Sequence, residues 1–500
     1  MSQTAVIRLV KSLSQSEKRN FKLYAKRHAG NKDYLDLFQL IEKYEAPSRE
    51  NLELEFSKLR GTRSFDNAAR YLFKILTDCL IQAKVKEDEM FQVTQGLLRI
   101  NILKERNLPE QAFRELKKLQ QTGIVHREQF LQYMMNRHEL NYLTEINFQG
   151  VSEKQLIDIQ MKTRDVLKEI RNTHEHNSLF EILKHRLVHS GKTIAAENRK
   201  QLNDLMLSEL SIINAKSKHN LESRKLHLLF QSYFFTNIGD YKSALKTFYE
   251  LNRLFEKNNE YWHNPPQDYL SSLDGTLDSL RTIDAFEEMP FYIAKLEQLD
   301  KEPYPEYFRF MVRKTIMIYQ LIFFINSKQY DKAIDYISQC DTMVIKSYSI
   351  VDEEKQNELL FCLALSFFEI RNFKKSQKYI NEIVLLGKIS YQSLVYRASR
   401  LLSIIIQYEQ NNLEYLEYEI RSFKRAFQHN AKLLKVETLL FKTIKMHPRK
   451  NVLQRNESYW SKIEPLVTRI ERDKYETQLS KHFNFTGWIK NNFKKGPDIL

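Results

Sequence analysis

Apolar residues recur along the second half of the chain with the spacing of one helix face. Tyr241, Ala244, Phe248 and Leu251 stand at offsets 0, +3, +7 and +10, which line up on one side of a helix of 3.6 residues per turn. The spacing returns at Phe286, Met289, Ile293 and Leu296, and again at Tyr330, Ala333, Ile337 and Cys340. It returns twice more, at Phe373, Ser376, Ile380 and Ile383 and at Leu413, Leu416, Ile420 and Phe423. Successive copies start 45, 44, 43 and 40 residues apart. An apolar stretch precedes each copy: Leu228 to Ile238, Leu273 to Ile283, Tyr319 to Ile325, Leu359 to Ile370 and Leu402 to Tyr408. Polar pairs join the two parts, namely Gly239-Asp240, Asp284-Ala285, Lys328-Gln329, Arg371-Asn372 and Asn411-Asn412. Each copy therefore predicts two helices that reverse direction at a short turn. A small residue at +3, clearest at Ala244, Ala333 and Ser376, lets the two helices approach closely, although Met289 and Leu416 depart from that rule. The repeat core is expected at Tyr241, Ala244, Phe286, Tyr330, Ala333 and Phe373.

The first half is helical but less regular. Ser14 with Glu17, and Ser152 with Gln155, have capping-box spacing, which opens helices running through Arg27 and through the Ile157 to Leu167 region. Asn107-Leu-Pro-Glu-Gln-Ala112-Phe, with Leu116 and Leu119 behind it, is a candidate diverged repeat. Gly191 is a candidate helix end and His263-Asn-Pro-Pro266 a loop. The expected organisation is a basic helical region over 1–90, a helical region over 91–226, repeats over 227–428 and a basic helical cap over 429–500.

The stretch Gly239-Asp-Tyr-Lys-Ser-Ala244-Leu resembles the turn, aromatic and alanine of tetratricopeptide (TPR) repeats, and Gln329-Tyr-Asp-Lys-Ala333-Ile matches it again. The resemblance spans Leu228 to Phe427, with a period longer than that family's roughly 34 residues. It implies an all-α fold containing a TPR-like, right-handed α-solenoid of antiparallel helical hairpins, whose concave face takes up peptides or protein segments. The first helices carry aromatic runs, and Tyr233, Phe235, Phe323 and Phe367 are the candidate groove residues. Adjacent residues on a helix cannot share one face, so one of each doublet packs between layers while its neighbour reaches the groove.

Composition agrees with this pattern. Eleven glycines and ten prolines in 500 residues leave few positions that break a helix. The apolar windows, Ile316 to Ile325 and Leu401 to Ile406, fall well short of the roughly 20 residues that span a bilayer, and Met1 to Ile7 is too short for the core of a signal peptide. A cytoplasmic protein is expected. Cys79, Cys340 and Cys362 are far apart on apolar helical faces, which points to core packing rather than to a disulfide framework or a zinc site.

The formal charge of +15 favours weak attraction to nucleic acid, anionic lipid or an acidic protein partner. The excess gathers at the ends: residues 1–33 hold eight basic and two acidic side chains, and residues 445–495 hold twelve and five. Arg8, Lys11, Lys18, Arg19, Lys22, Lys26 and Arg27, with Phe21 and Tyr24 among them, form the candidate nucleic-acid surface, although those aromatics have core spacing. Ser190-Gly191-Lys192-Thr193 ends like a phosphate-binding loop, yet Arg186 stands where its first glycine belongs and a helix precedes it instead of a strand. His185 and His189, with Glu181 on the same face and His174 and His176 nearby, have a spacing that can chelate a metal but reads first as a polar helix surface. No GxSxG or HExxH motif occurs. The expectation is a non-enzymatic protein- or peptide-binding scaffold without cofactor or metal, with nucleic-acid binding through the basic ends as the alternative.

Overall fold

A computed structural model describes residues 3–27, 33–44, 49–61, 63–123, 128–190, 196–214, 220–258, 266–340, 344–345, 353–385, 393–428, 433–446 and 457–493. Among them the regular structure is helical and no strand occurs. The chain divides into two compact units, Met1–Arg171 and Asn172–Leu500.

The N-terminal unit begins with α1 (Gln3–Ser12), α2 (Gln15–Arg27), α3 (Asp33–Lys43), α4 (Arg49–Arg60) and α5 (Phe65–Glu87). Val10, Phe21, Phe38, Ile41, Phe56 and Leu72 form their shared core. Ser14 and Glu17 cap α2 reciprocally: the Ser14 N–H donates to Glu17 Oε2 at 2.7 Å and the Glu17 N–H to Ser14 Oγ at 3.3 Å. Helices α6 (Glu89–Glu105), α7 (Pro109–Gln120) and α8 (Gln129–Glu145) enclose a second core around Val93, Ile100, Ala112, Leu116 and Met135. The expected cap at Ser152 and Gln155 opens α9 (Glu153–Ser190), a helix of 38 residues that runs well beyond Leu167 and continues into the second unit.

The C-terminal unit contains α10 (Ala196–Asn214) and then five consecutive helix pairs. These are α11 (Leu221–Asn237) with α12 (Tyr241–Lys257), α13 (Gln267–Thr282) with α14 (Met289–Lys301), and α15 (Glu306–Asn326) with α16 (Tyr330–Gln339). The last two are α17 (Glu353–Glu369) with α18 (Phe373–Leu385), and α19 (Leu394–Glu409) with α20 (Leu413–Gln428). Tyr241, Tyr330, Phe373 and Leu413 each open the second helix of a pair, and Phe286 opens the 3-10 turn that runs into α14. The +3 residues Ala244, Met289, Ala333, Ser376 and Leu416 are all buried. Helices of a pair pack against each other, and so do helices of successive pairs.

One turn geometry joins all five pairs. The first turn residue, Gly239, Asp284, Lys328, Arg371 or Asn411, has φ between 55° and 76°, the left-handed region. The next N–H returns to the carbonyl five residues back in Schellman fashion, as from Asp240 to Phe235 at 2.9 Å and from Asn372 to Phe367 at 2.8 Å. This bond satisfies a carbonyl that the helix end would leave unpaired. Asn107 (φ 57°) between α6 and α7 has the same geometry, with the Leu108 N–H bonded to the Leu103 carbonyl at 2.9 Å and Ala112 buried. The candidate diverged repeat thus shares the turn and the small buried residue of the later pairs.

The chain continues through α21 (Lys435–Met446), α22 (Glu457–Glu471), α23 (Lys474–Ser480) and α24 (Phe485–Phe493). Leu479, Phe485, Trp488, Ile489 and Phe493 join the same core as the second to fifth helix pairs, while the first pair packs mainly with Phe180, Leu183 and Leu205. That core leaves α17 and α19 buried nearly all round: every residue from Gln356 to Phe368 and from Leu394 to Tyr408 is buried. No described helix is long and apolar enough to cross a membrane.

Candidate functional site

The first helices of successive pairs carry charges in positions that an apolar pattern would reserve for core. On α13, Asp274, Asp278 and Arg281 stand at i, i+4 and i+7 and share one face, while Leu273, Leu277 and Leu280 on the next face are fully buried. On α17, Lys355 and Glu358 are one turn apart. Tyr319 of α15 donates to the Asp274 carbonyl and to Asp274 Oδ1, each at 2.9 Å.

These charges alternate in an unbroken series. Lys355 Nζ lies 2.5 Å from Asp274 Oδ1 and 3.1 Å from Glu358 Oε2. Arg281 Nη2 lies 2.6 Å from Glu358 Oε1 and 2.7 Å from Asp278 Oδ1. Lys481, in the connection between α23 and α24, closes the series with Nζ at 2.8 and 2.9 Å from the two oxygens of Asp278. The Tyr319 ring carries the guanidinium of Arg281 at 5.9 Å and the ammonium of Lys355 at 5.3 Å, and the Tyr241 ring carries Lys481 at 5.7 Å. The side chains of Arg281 and Lys481 each expose 4 % of their surface.

Burial alone would raise the Glu358 pKa, but the charges of Lys355 and Arg281 overcome it and hold the carboxyl well below the usual range. Burial would likewise lower the Lys355 pKa, and Asp274 and Glu358 reverse that, holding the ammonium well above its ordinary value. Burial, with the charge of Asp274, pushes Tyr233 up to about 12. Glu358 and Lys355 are thereby held in their charged forms.

The network borders a cavity of about 330 Å³, whose wall also includes Tyr233, Ser271, Gly275, Glu354 and His482. Gly275 is required there by contact. A Cβ at that position would stand 2.1 Å from Cζ of Phe248, the +7 residue of α12.

The candidate groove residues divide. Tyr233 lines the cavity. Phe235 and Phe323 are half-buried. Phe367 is buried and stacks on Tyr379 of its own pair, whereas its neighbour Phe368 meets Phe483 edge-on, so the doublet splits between two faces. Asp274, Asp278, Arg281, Lys355, Glu358 and Lys481 were not anticipated. For all but Lys481, which lies between two helices, the one sequence signal is the presence of charges in or beside helices that otherwise read as core.

Elsewhere, Cys79 and Cys362 are buried and Cys340 is half-buried at the end of α16. Burial, with Glu358 nearby, pushes the Cys362 thiol up to about 12. His174 and His185 are exposed, and His176 is buried with Nδ1 3.9 Å from Glu209 Oε1. No group of three or more His, Cys, Asp or Glu is placed to hold a metal among the described residues. Gly191-Lys192-Thr193, His263 to Pro265, and the side chains of His189, Lys26 and Arg27 lie outside the described residues. In the N-terminal unit Phe21 is buried against Phe38, Lys22 pairs with Glu42 at 2.7 Å and Lys11 bonds the carbonyl of Tyr44.

Comparison with protein families, with curated proteins and with solved structures found no match.

Proposed function

We propose that the C-terminal unit is a TPR-like, right-handed α-solenoid of antiparallel hairpins that serves as a non-enzymatic scaffold for a protein or peptide in the cytoplasm. Five helix pairs share one turn and one set of buried positions, which supports a repeat built by stacking. The observation that carries the binding reading is the cavity where α11, α13, α15 and α17 converge. It combines aromatic rims, paired charges and open volume on the first helices of the pairs, the helices that line the concave face of a solenoid.

The electrostatics favour binding over catalysis. A general acid or base works best with a pKa near the operating pH. Here Glu358 and Lys355 move the other way, toward permanent ionisation. Fixed charges of both signs suit recognition of a polar segment. The alternative, nucleic acid at the basic ends, draws on the exposed Arg8 and Arg19, whereas Phe21 is committed to the core and Lys22 to Glu42.

Purification from the native host at low and high salt, with and without nuclease, separates the two readings. A protein partner that survives high salt and is lost from the cavity-filling variant Ser271→Trp supports the scaffold. Recovery of nucleic acid alone, falling steeply with salt, refutes it.

A further inference from the structure

The cavity already holds part of the chain itself. Lys481 is the only member of the alternating series that does not come from the helix pairs, and it reaches Asp278 from 203 residues away. Its neighbours follow it in. His482 meets Phe361 edge-on with centroids 6.1 Å apart, and Phe483 meets Phe368 at 5.7 Å. The Gln478 amide donates to the Asn237 carbonyl at 3.4 Å, beside the turn that opens α12.

Two features mark this as the seat of a ligand rather than a permanent joint. The first is how the connection Lys481–Asn484 is held. Its contacts to the helix pairs are made by side chains, and its backbone bonds stay local, from His482 N–H to the Leu479 carbonyl and from Phe485 N–H to the Phe483 carbonyl, while Asn484 caps α24 by accepting from the N–H groups of Gly487 and Trp488. Helix α24 is anchored independently, through Trp488 Nε1 on Glu409 at 3.2 Å and the Trp488 ring on Tyr408. Lys481–Phe483 can therefore lift while α24 and its cap Asn484 stay. The second is the wall it would leave: Asp274, Asp278, Glu354 and Glu358 against only Arg281 and Lys355. That wall demands a cation, in contrast to the basic chain as a whole. Arg281 also keeps a buried Nε–H without an acceptor, which the carbonyl of a bound backbone would supply.

We propose that Lys481 and Phe483 are an internal stand-in for a partner, and that the cavity takes a lysine side chain of a partner peptide with an aromatic residue two positions after it. Binding of that peptide expels the connection. This rests on the scaffold reading and names the chemistry of its partner.

The probe is a fluorescein-labelled peptide with the sequence of residues 474–493, titrated against the full-length chain by anisotropy. The variant Lys481→Gln/Phe483→Ala, with wild-type helicity by circular dichroism, is expected to bind it at least tenfold more tightly than the wild type does. A peptide carrying glutamate in place of its Lys481 is expected to bind at least tenfold more weakly. Equal affinity for the two peptides, or no gain on opening the connection, overturns the proposal. Should the variant not fold, hydrogen exchange on the wild type decides: saturating peptide must accelerate exchange at 479–484 and leave 488–493 unchanged, and no acceleration overturns it. A peptide that fails while a salt-resistant partner is still lost on Ser271→Trp sinks this inference and leaves the scaffold. Failure of both sinks both.

Discussion

Replacing Glu358 by glutamine removes one charge from the centre of the buried series and keeps its shape. In the wild type Glu358 neutralises Arg281 at 2.6 Å and Lys355 at 3.1 Å, with 11 % of its side chain exposed. Removing one partner of a buried pair costs about 3–5 kcal/mol, because the charge left behind has lost its solvation and its counter-ion. Each cation keeps a second carboxylate, Asp278 for Arg281 and Asp274 for Lys355, so the low end, about 3 kcal/mol, is expected. At about 2 °C per kcal/mol for a large domain, the melting temperature at pH 7 should fall by about 6 °C. The pH profile carries a second signature. The folded pKa of Glu358 lies below its unfolded value, so its contribution is complete above pH about 4.3 and is lost as pH falls toward the folded pKa. Protonated glutamate and glutamine are then equivalent, and the gap between wild type and variant should close as pH drops below about 4. Differential scanning calorimetry of both proteins from pH 7 to pH 3 reads both effects. A shift under 1 °C at pH 7, or a gap of constant size down to pH 3, would refute the reasoning.

Three further outcomes follow from the packing and are read by the same calorimetry. Gly275→Ala should cost about 1–3 kcal/mol, since its Cβ would stand 2.1 Å from Cζ of the Phe248 ring, and Phe248→Leu in the same chain should recover part of that loss. Arg371→Gly should stabilise by about 0.5–1 kcal/mol, since a left-handed residue with a Cβ occupies that turn, while Gly239→Ala in the equivalent turn should cost about 1 kcal/mol. Lys314 is fully buried beside Phe310 and donates to Gln356 Oε1; burial lowers its pKa to about 8. Against an ordinary value near 10.4 this is a penalty of up to about 3 kcal/mol, present in full below pH 8 and relieved as pH rises from there to about 10.4. Lys314→Met should therefore melt higher at pH 7, with the difference shrinking toward pH 10.

The helix pairs were legible because their second helices are amphipathic. A single apolar stripe at offsets 0, +3, +7 and +10 faces a single partner, and periodicity reports that directly. The first helices were harder to read. α17 was expected from Leu359 but begins at Glu353, and α13 was expected from Leu273 but begins at Gln267. Their missing turns hold Gln356, Asn357 and Glu358 on α17 and Ser272 on α13, polar residues that are buried. A helix enclosed on every side has no polar face to contrast with, and side chains that satisfy one another inside it read as surface. The site escaped notice for the same reason. Asp274 and Lys355 are 81 residues apart, and Asp278 and Lys481 are 203 apart, so nothing local announces that each neutralises the other. The polar turns stand where the spacing puts them, although Lys328 and Arg371 are residue types that a left-handed backbone disfavours.

We propose that the helix pairs bind a protein segment at the cavity beside Asp278. This binding is tested most directly by recovering the full-length chain from its native host in high salt after nuclease treatment, as wild type and as Ser271→Trp. A stoichiometric protein partner is expected with the wild type, and its loss from the variant at unchanged melting temperature. A partner held equally by both proteins, or nucleic acid in place of any protein, would contradict it.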